Sequence, residues 1–287
     1  MILASREAPP SMRLQAALAS VFIGAWMAAG WLLALPPNAY LVLGVPLVLA
    51  YQLVILHRPV RALWRFDGAP LGFDRSIVTV GLMLATWPAL SLVASFVTSA
   101  RVGVDVAAWC LCAAVGAFGL AWWLVNAWRQ PQFWRGGQQP AFFALVVVTG
   151  VMLFALSAWM SGARPHLPPA TGLATFISDA WLYACVCFVL EEVVFRGAID
   201  PAIVPDAPVT GLRAHATAVF VSLLWGAWHF PLLPFGHGSI HSMASTLAFH
   251  VGVGWPMTLL ARRARNLGPT CLAHAAIDAF RDVITSV

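Results

Sequence analysis

Lysine is absent from the 287 residues, and charged side chains of either sign make up only 9% of them. A soluble globular domain is usually about 25% charged. This chain cannot cover a polar surface, so a soluble fold would require long apolar helices hidden in a larger assembly. With 61% hydrophobic residues and a mean hydropathy of +0.82, the chain reads as a polytopic membrane protein. Its basic residues are all arginine and are dispersed at segment ends. The net charge of +5 is therefore a matter of topology, and no nucleic-acid partner is expected. Exclusive use of arginine points to a bacterial, GC-rich source. Also missing are a convincing internal repeat, a soluble domain and a cleavable signal peptide, because the first apolar run is long enough to span.

Cysteine is scarce as well. Cys110, Cys112, Cys185, Cys187 and Cys271 all lie in apolar segments. Each Cys-x-Cys pair points to well-separated sides of a helix, which suits neither a disulfide nor a shared metal. The five are read as small packing residues.

Nine apolar runs are present, at about 14–35, 40–57, 76–99, 104–127, 141–161, 174–203, 215–233, 242–261 and 268–285. Most can cross a hydrocarbon core of about 30 Å as helices. The expected fold is an all-α transmembrane bundle of eight or nine helices. It divides into N-terminal helices without a motif (1–173) and a C-terminal catalytic core (174–287). The ninth run carries His274, Asp278, Arg281 and Asp282, so its full crossing is the least secure. With the N-terminus in the cytoplasm, Arg6, Arg13, Arg58, Arg61, Arg65, Arg75, Arg129, Arg135, Arg213, Arg262, Arg263 and Arg265 fall in cytoplasmic segments. Arg101 and Arg164 fall outside. This asymmetry orients a multi-pass protein of the cell (inner) membrane.

Ionisable residues inside such runs mark functional sites by default. In "EEVVFRG", Glu192 and Arg196 are spaced i,i+4 and can pair on one helix face. Glu191 points about 100° away, which leaves one carboxylate structural and one free for chemistry. In "WGAWHFP", Trp225 and His229 share a face, and Pro231 should end or kink the helix near His229. In "HAAID", His274 and Asp278 share a face and could hold a metal, a water or a substrate oxygen. Each cluster has a plain structural reading too: a helix end, a bland helical histidine, and a His–Asp hydrogen bond. What joins them is depth. Counted from the cytoplasmic helix ends, Glu191 and His229 lie roughly 18 Å deep, His274 about 9 Å and Asp278 about 15 Å. The shared cavity is expected to open inward or sideways to lipid. His57, His166, His215, His237 and His241 fall in loops or at helix ends, and His250 is read as packing or support.

In that order and in the C-terminal half, "EEVVFR", "WGAWH" and "HAAID" resemble the CPBP family of membrane proteases, the type II CAAX prenyl proteases and bacteriocin-processing proteins. The family pattern is Glu-Glu-x-x-x-Arg, then Phe-x-x-x-His, then His-x-x-x-Asn or Asp. Trp225 stands where Phe is usual, and Asp278 where the CAAX proteases use Asn. An ionised Asp cannot donate a hydrogen bond to an oxyanion, which puts strict CAAX specificity in doubt. The resemblance implies an intramembrane endopeptidase acting on a membrane-bound or lipidated peptide. Glu191 would be the general base and His229 would hold the same water. His274 and Asp278 would stabilise the oxyanion or complete the polar shell, while Glu192, Arg196 and Trp225 support the geometry. No serine or cysteine stands beside a base, which favours a water nucleophile. Glu191, His229 and His274 could instead hold a divalent metal such as zinc. The short motif His-Glu-x-x-His is absent, however, and a ligated Glu191 is not a free base. Metal and metal-free chemistry both stay open. The competing classes are a non-proteolytic scaffold or immunity protein and a proton- or cation-coupled transporter. A transporter would more often show repeated halves.

Overall fold

The computed structural model describes residues 11–64, 72–98, 103–129, 139–160, 169–205, 210–233, 239–265 and 267–285. Arg6, Arg65, Arg101, Arg135, Arg164, His166 and His237 lie outside the described residues. Among the described residues the chain is a bundle of helices with no strand.

The first run forms α1 (Met12–Leu32), capped by Ser11, whose hydroxyl accepts from the Leu14 amide. The second run is broken by Pro46 and other small irregularities into α2 (Pro37–Val42), α3 (Gly44–Ala50) and a π-helical turn, Tyr51–Ile55. Then follow α4 (Arg75–Thr98), α5 (Val104–Arg129) and α6 (Gln139–Met160). The sixth run begins as α7 (Pro169–Cys187), passes into a π-helical stretch (Phe188–Ile199) and ends as the single turn α8 (Asp200–Ile203). The last three runs are α9 (Gly211–Trp228), α10 (Ser239–Ala264) and α11 (Gly268–Thr285).

Among the described residues, five segments are long and apolar enough to cross a membrane: Met12–Leu32, Pro37–Ile55, Arg75–Val97, Val106–Asn126 and Gly172–Ile203. Pro140–Leu156 is a shorter apolar helix. The outward faces of α4 carry Leu82, Met83, Leu90, Val93, Phe96 and Val97 exposed, as a lipid-facing helix should.

Side-chain contacts define the two ends of the bundle. At one end Arg129, closing α5, pairs with Asp74 and donates to the Ser76 hydroxyl at the start of α4. At the same end Arg262, near the close of α10, donates to both carboxylate oxygens of Asp200 in α8, at 2.7 and 3.3 Å. It also bonds the Ala214 carbonyl and the Thr217 hydroxyl in α9, both at 2.9 Å. Arg263 lies over the Phe142 ring at the start of α6. At the opposite end the Tyr40 hydroxyl donates to the Trp228 carbonyl at 2.7 Å, tying α2 to the close of α9. There too Phe154 of α6 packs on Phe249 of α10. Successive helices therefore run antiparallel, and Arg129, Arg262 and Arg263 share the first end.

One buried cluster links both halves of the sequence. It contains Ile23, Trp26 and Tyr40 from the first helices, and Phe188, Phe195, Trp225, Trp228 and Ile277 from the last. Helices α5 and α7 cross closely at Gly116, where an added Cβ would fall 1.8 Å from the Cys185 carbonyl oxygen. Small residues at helix crossings allow this approach in membranes. Gly116→Ala is expected to force the helices apart, at a cost of about 1–3 kcal/mol. The check is thermal unfolding in detergent, where an unchanged midpoint would show that this crossing tolerates a methyl group.

Candidate active site

The site is built on four elements: the π-helical stretch, the C-terminal end of α9, α10 and α11. The sequence suggested a plain α-helix through "FVLEEVVFRGAI", but the backbone is π-helical over Phe188–Ile199. Such local widening of a helix is frequent at functional sites. The stretch is nearly all buried, both glutamates included.

The two carboxylates have different main partners, as their spacing implied. Glu192 is paired with Arg196 at 3.0 Å, and both side chains are 0% exposed. The Arg196 guanidinium also lies 4.3 Å from the Trp225 ring centroid. Glu191 faces the other way and meets three side chains. Its Oε2 accepts from the Trp225 indole at 2.7 Å. The same oxygen lies 3.7 Å from His229 Nε2 and 3.8 Å from His274 Nε2.

The backbone sets how those histidines present themselves. Helix α9 ends at Trp228, as Pro231 predicted; the chain turns through a short 3-10 segment, Phe230–Leu232. His229 Nδ1 lies 2.9 Å from the Trp225 carbonyl. A carbonyl only accepts, so Nδ1 carries the proton and Nε2 turns its lone pair toward Glu191. His274 Nδ1 lies 3.1 Å from Glu192 Oε1, which directs its Nε2 toward Glu191 and Asp278. Glu192 thus holds both Arg196 and His274.

Asp278 Oδ2 lies 3.5 Å from His274 Nε2, while Oδ1 accepts from Arg281 at 3.2 Å. Arg281 also donates to Asp282 and to the Tyr183 hydroxyl, which itself donates to Asp282 at 2.6 Å. This anchoring of Asp278 from both sides was not legible in the spacing. Nor was the place of His250. Its Nδ1 meets the Thr246 carbonyl at 2.7 Å, and its ring stands 4.1 Å from that of His229. The only sequence signal was a histidine inside an apolar run. Cys187 belongs to the site as well, with Sγ 3.8 Å from Asp278 Oδ2. All five cysteines are free. Outside the site, His215 near the start of α9 accepts from the Trp255 indole at 3.1 Å.

Glu191, Trp225, His229, His250, His274 and Asp278 line a cavity of about 680 Å³. Its walls are contributed by early helices too, through Leu41 of α2, Ser95 of α4 and Trp109 of α5. Apolar walls with a few convergent polar groups are the usual make-up of a ligand site.

Trp225 does more than pack. Trp225→Phe keeps an aromatic ring for Arg196 but removes the donor to Glu191. A hydrogen bond to a charged group is worth about 1.5–3 kcal/mol, so the variant should fold normally and lose roughly tenfold or more of any activity that depends on Glu191. Retained activity would reduce the indole to packing.

The fold and site define a helical multi-pass membrane protein with buried glutamates and histidines converging on one cavity. Residues 173–280 match the family model described as type II CAAX prenyl endopeptidase Rce1-like, the family whose pattern the three motifs carry. That is a family of membrane proteases, and the match covers α7 to α11 while leaving out residues 1–172. Neither the curated proteins nor the solved structures gave a match.

Proposed function

We propose that the protein is an intramembrane endopeptidase that hydrolyses a peptide bond of a membrane-bound or lipidated protein with a water activated by Glu191. The observation that carries this reading is the convergence of His229 and His274 on one oxygen of Glu191. A water between them donates one hydrogen to the Glu191 carboxylate and one to His229 Nε2, leaving an oxygen lone pair free to attack. Glu191 takes the proton as the new carbon–oxygen bond forms. His274, positioned by Glu192, stabilises the oxyanion through a proton on Nε2, and Asp278 fixes its orientation. Collapse of the tetrahedral intermediate breaks the carbon–nitrogen bond, and Glu191 returns the proton to the leaving amine.

A divalent cation is the alternative reading of Glu191, His229 and His274. Both Nε2 atoms face Glu191, and each histidine has its Nδ1 fixed by a carbonyl or a carboxylate, the usual support of a metal-ligating imidazole. Among the described residues, the set whose ligand atoms all lie within 4.8 Å of one another is a different one, Cys187, His274 and Asp278. Glu191, His229 and His274 would hold the ion, which would polarise the carbonyl and the water. The metal-free reading is preferred because Glu191 is then an unencumbered base.

The test is cleavage of a peptide library by the purified protein, with and without a chelator, beside a proton and cation flux assay in liposomes. Cleavage lost with Glu191→Gln supports the proposal. Flux without cleavage would replace it with a transporter.

A further inference from the structure

Helix α10 turns one face toward the cavity, made by Ser245, Thr246, Phe249, His250 and Val253. His250 is the ionisable member of that face. Such a residue inside an apolar helix marks a functional position by default, and water activation by Glu191 and His229 leaves it without a task.

Its seat is built by close helix packing. A Cβ added at Gly226 of α9 would fall 3.0 Å from the His250 Cβ, and one added at Gly254 of α10 would fall 2.9 Å from the Trp225 ring. The two glycines let α9 and α10 close on the imidazole. Its ring stands edge-on to Trp225, with centres 4.5 Å apart, and 4.1 Å from His229. Phe249 bounds another side, edge-on at 5.3 Å.

Hydrogen bonding fixes what this ring offers. Nδ1 lies 2.7 Å from the Thr246 carbonyl, which only accepts, so Nδ1 carries the proton. His229 and His274 both lie near the Glu191 carboxylate, whereas His250 pairs with no carboxylate among the described residues. The neutral ring therefore has a lone pair on Nε2. That atom bonds no described residue and is not sealed inside the protein, and His250 belongs to the cavity wall. The cavity thus holds an acceptor that awaits a donor.

Resting on the protease reading, the geometry points to His250 as a substrate-binding residue whose Nε2 accepts a backbone N–H of the peptide beside the scissile bond. A peptide drawn out of water needs partners for its N–H groups. The walls from Trp109, Phe154 and Phe249 offer no acceptor in their side chains. Glu191, His229 and His274 are engaged with the water and the scissile carbonyl. An extended chain advances roughly 3.3–3.6 Å per residue, comparable with the 4.1 Å step from the His229 ring to the His250 ring. The N–H that His250 takes therefore belongs to a peptide unit adjoining the one that is cut.

The probe is a library peptide whose cleavage is lost with Glu191→Gln. In two analogues the amide on one side or the other of the scissile bond is replaced by an ester, which removes the N–H and keeps the length of the chain. With wild type, one analogue should lose roughly two- to tenfold in kcat/KM, the worth of a neutral hydrogen bond. Most of the loss should lie in KM, because the bond forms before the transition state. His250→Phe and His250→Leu should lose a similar factor on the parent peptide and nothing further on that ester. His250→Gln, whose side-chain carbonyl can accept, should keep the ester sensitivity. Elution volume in detergent checks the fold of each variant, and His250→Leu is read if His250→Phe does not fold. A wild type indifferent to both esters overturns the role without any variant. An equal ester penalty in wild type and in the variants lacking an acceptor also overturns it, while the protease reading stands. If no peptide is cleaved in a Glu191-dependent way, the protease reading falls, and the role of His250 falls with it.

Discussion

Glu191→Gln is expected to abolish cleavage of a true substrate and to leave the fold intact. The amide oxygen of glutamine can still accept from the Trp225 indole, which now meets Glu191 Oε2 at 2.7 Å, so the local structure has little reason to change. What disappears is the basic oxygen. A positioned general base typically contributes about 10²–10⁴-fold, so residual activity should be at most about a hundredth of wild type. His229→Ala and His274→Ala should each have a similar effect, because either change removes one of the two nitrogens that face that oxygen. Initial rates on an identified peptide, with elution volume in detergent as the folding control, decide the matter. A fully active Glu191→Gln protein would remove the general base from the proposal.

Arg196→Ala should act on the fold rather than on the chemistry. It would leave Glu192 charged and 0% exposed, with His274 as its remaining close ionisable partner. Breaking a buried pair by deleting one member costs about 3–5 kcal/mol, and the cation over the Trp225 ring is lost as well. Folded yield should fall severely. The double change Glu192→Gln with Arg196→Gln removes the uncompensated charge and should recover much of that yield. Equal yields for wild type, single and double variants would mean the pair contributes nothing to the fold.

The contrast between these two glutamates was legible in the sequence because it depends on spacing along one helix. So was the Glu192–Arg196 pair, and so was the shared face of His274 and Asp278. Ending α9 at Trp228 followed from Pro231, which has no N–H to continue a helix. Contacts between helices were not legible. Asp200 and Arg262 lie 62 positions apart, and no pattern links them. The same holds for the indole of Trp225 reaching Glu191 across 34 positions. His250 was visible only as an odd residue in an apolar run. Its importance comes from standing beside His229, which depends on how α10 packs on α9. Counting residues from helix ends gave a depth, but the side chains that join α8, α9 and α10 beneath the site were not legible.

The Asp200–Arg262 cross-link also has a consequence for motion. It fastens α8, α9 and α10 at one end; α9 is held at its far end too, by Tyr40, whereas the first half of α10 borders the cavity without such a tie among the contacts described above. A helix pinned at one end breathes at the other, so stability should be graded along α10. Amide hydrogens near Thr217 and Thr258 should exchange with deuterium far more slowly than those near Ser245. The bundle would then admit an unwound peptide by loosening its rim, while the carboxylates and imidazoles at the floor keep their spacing.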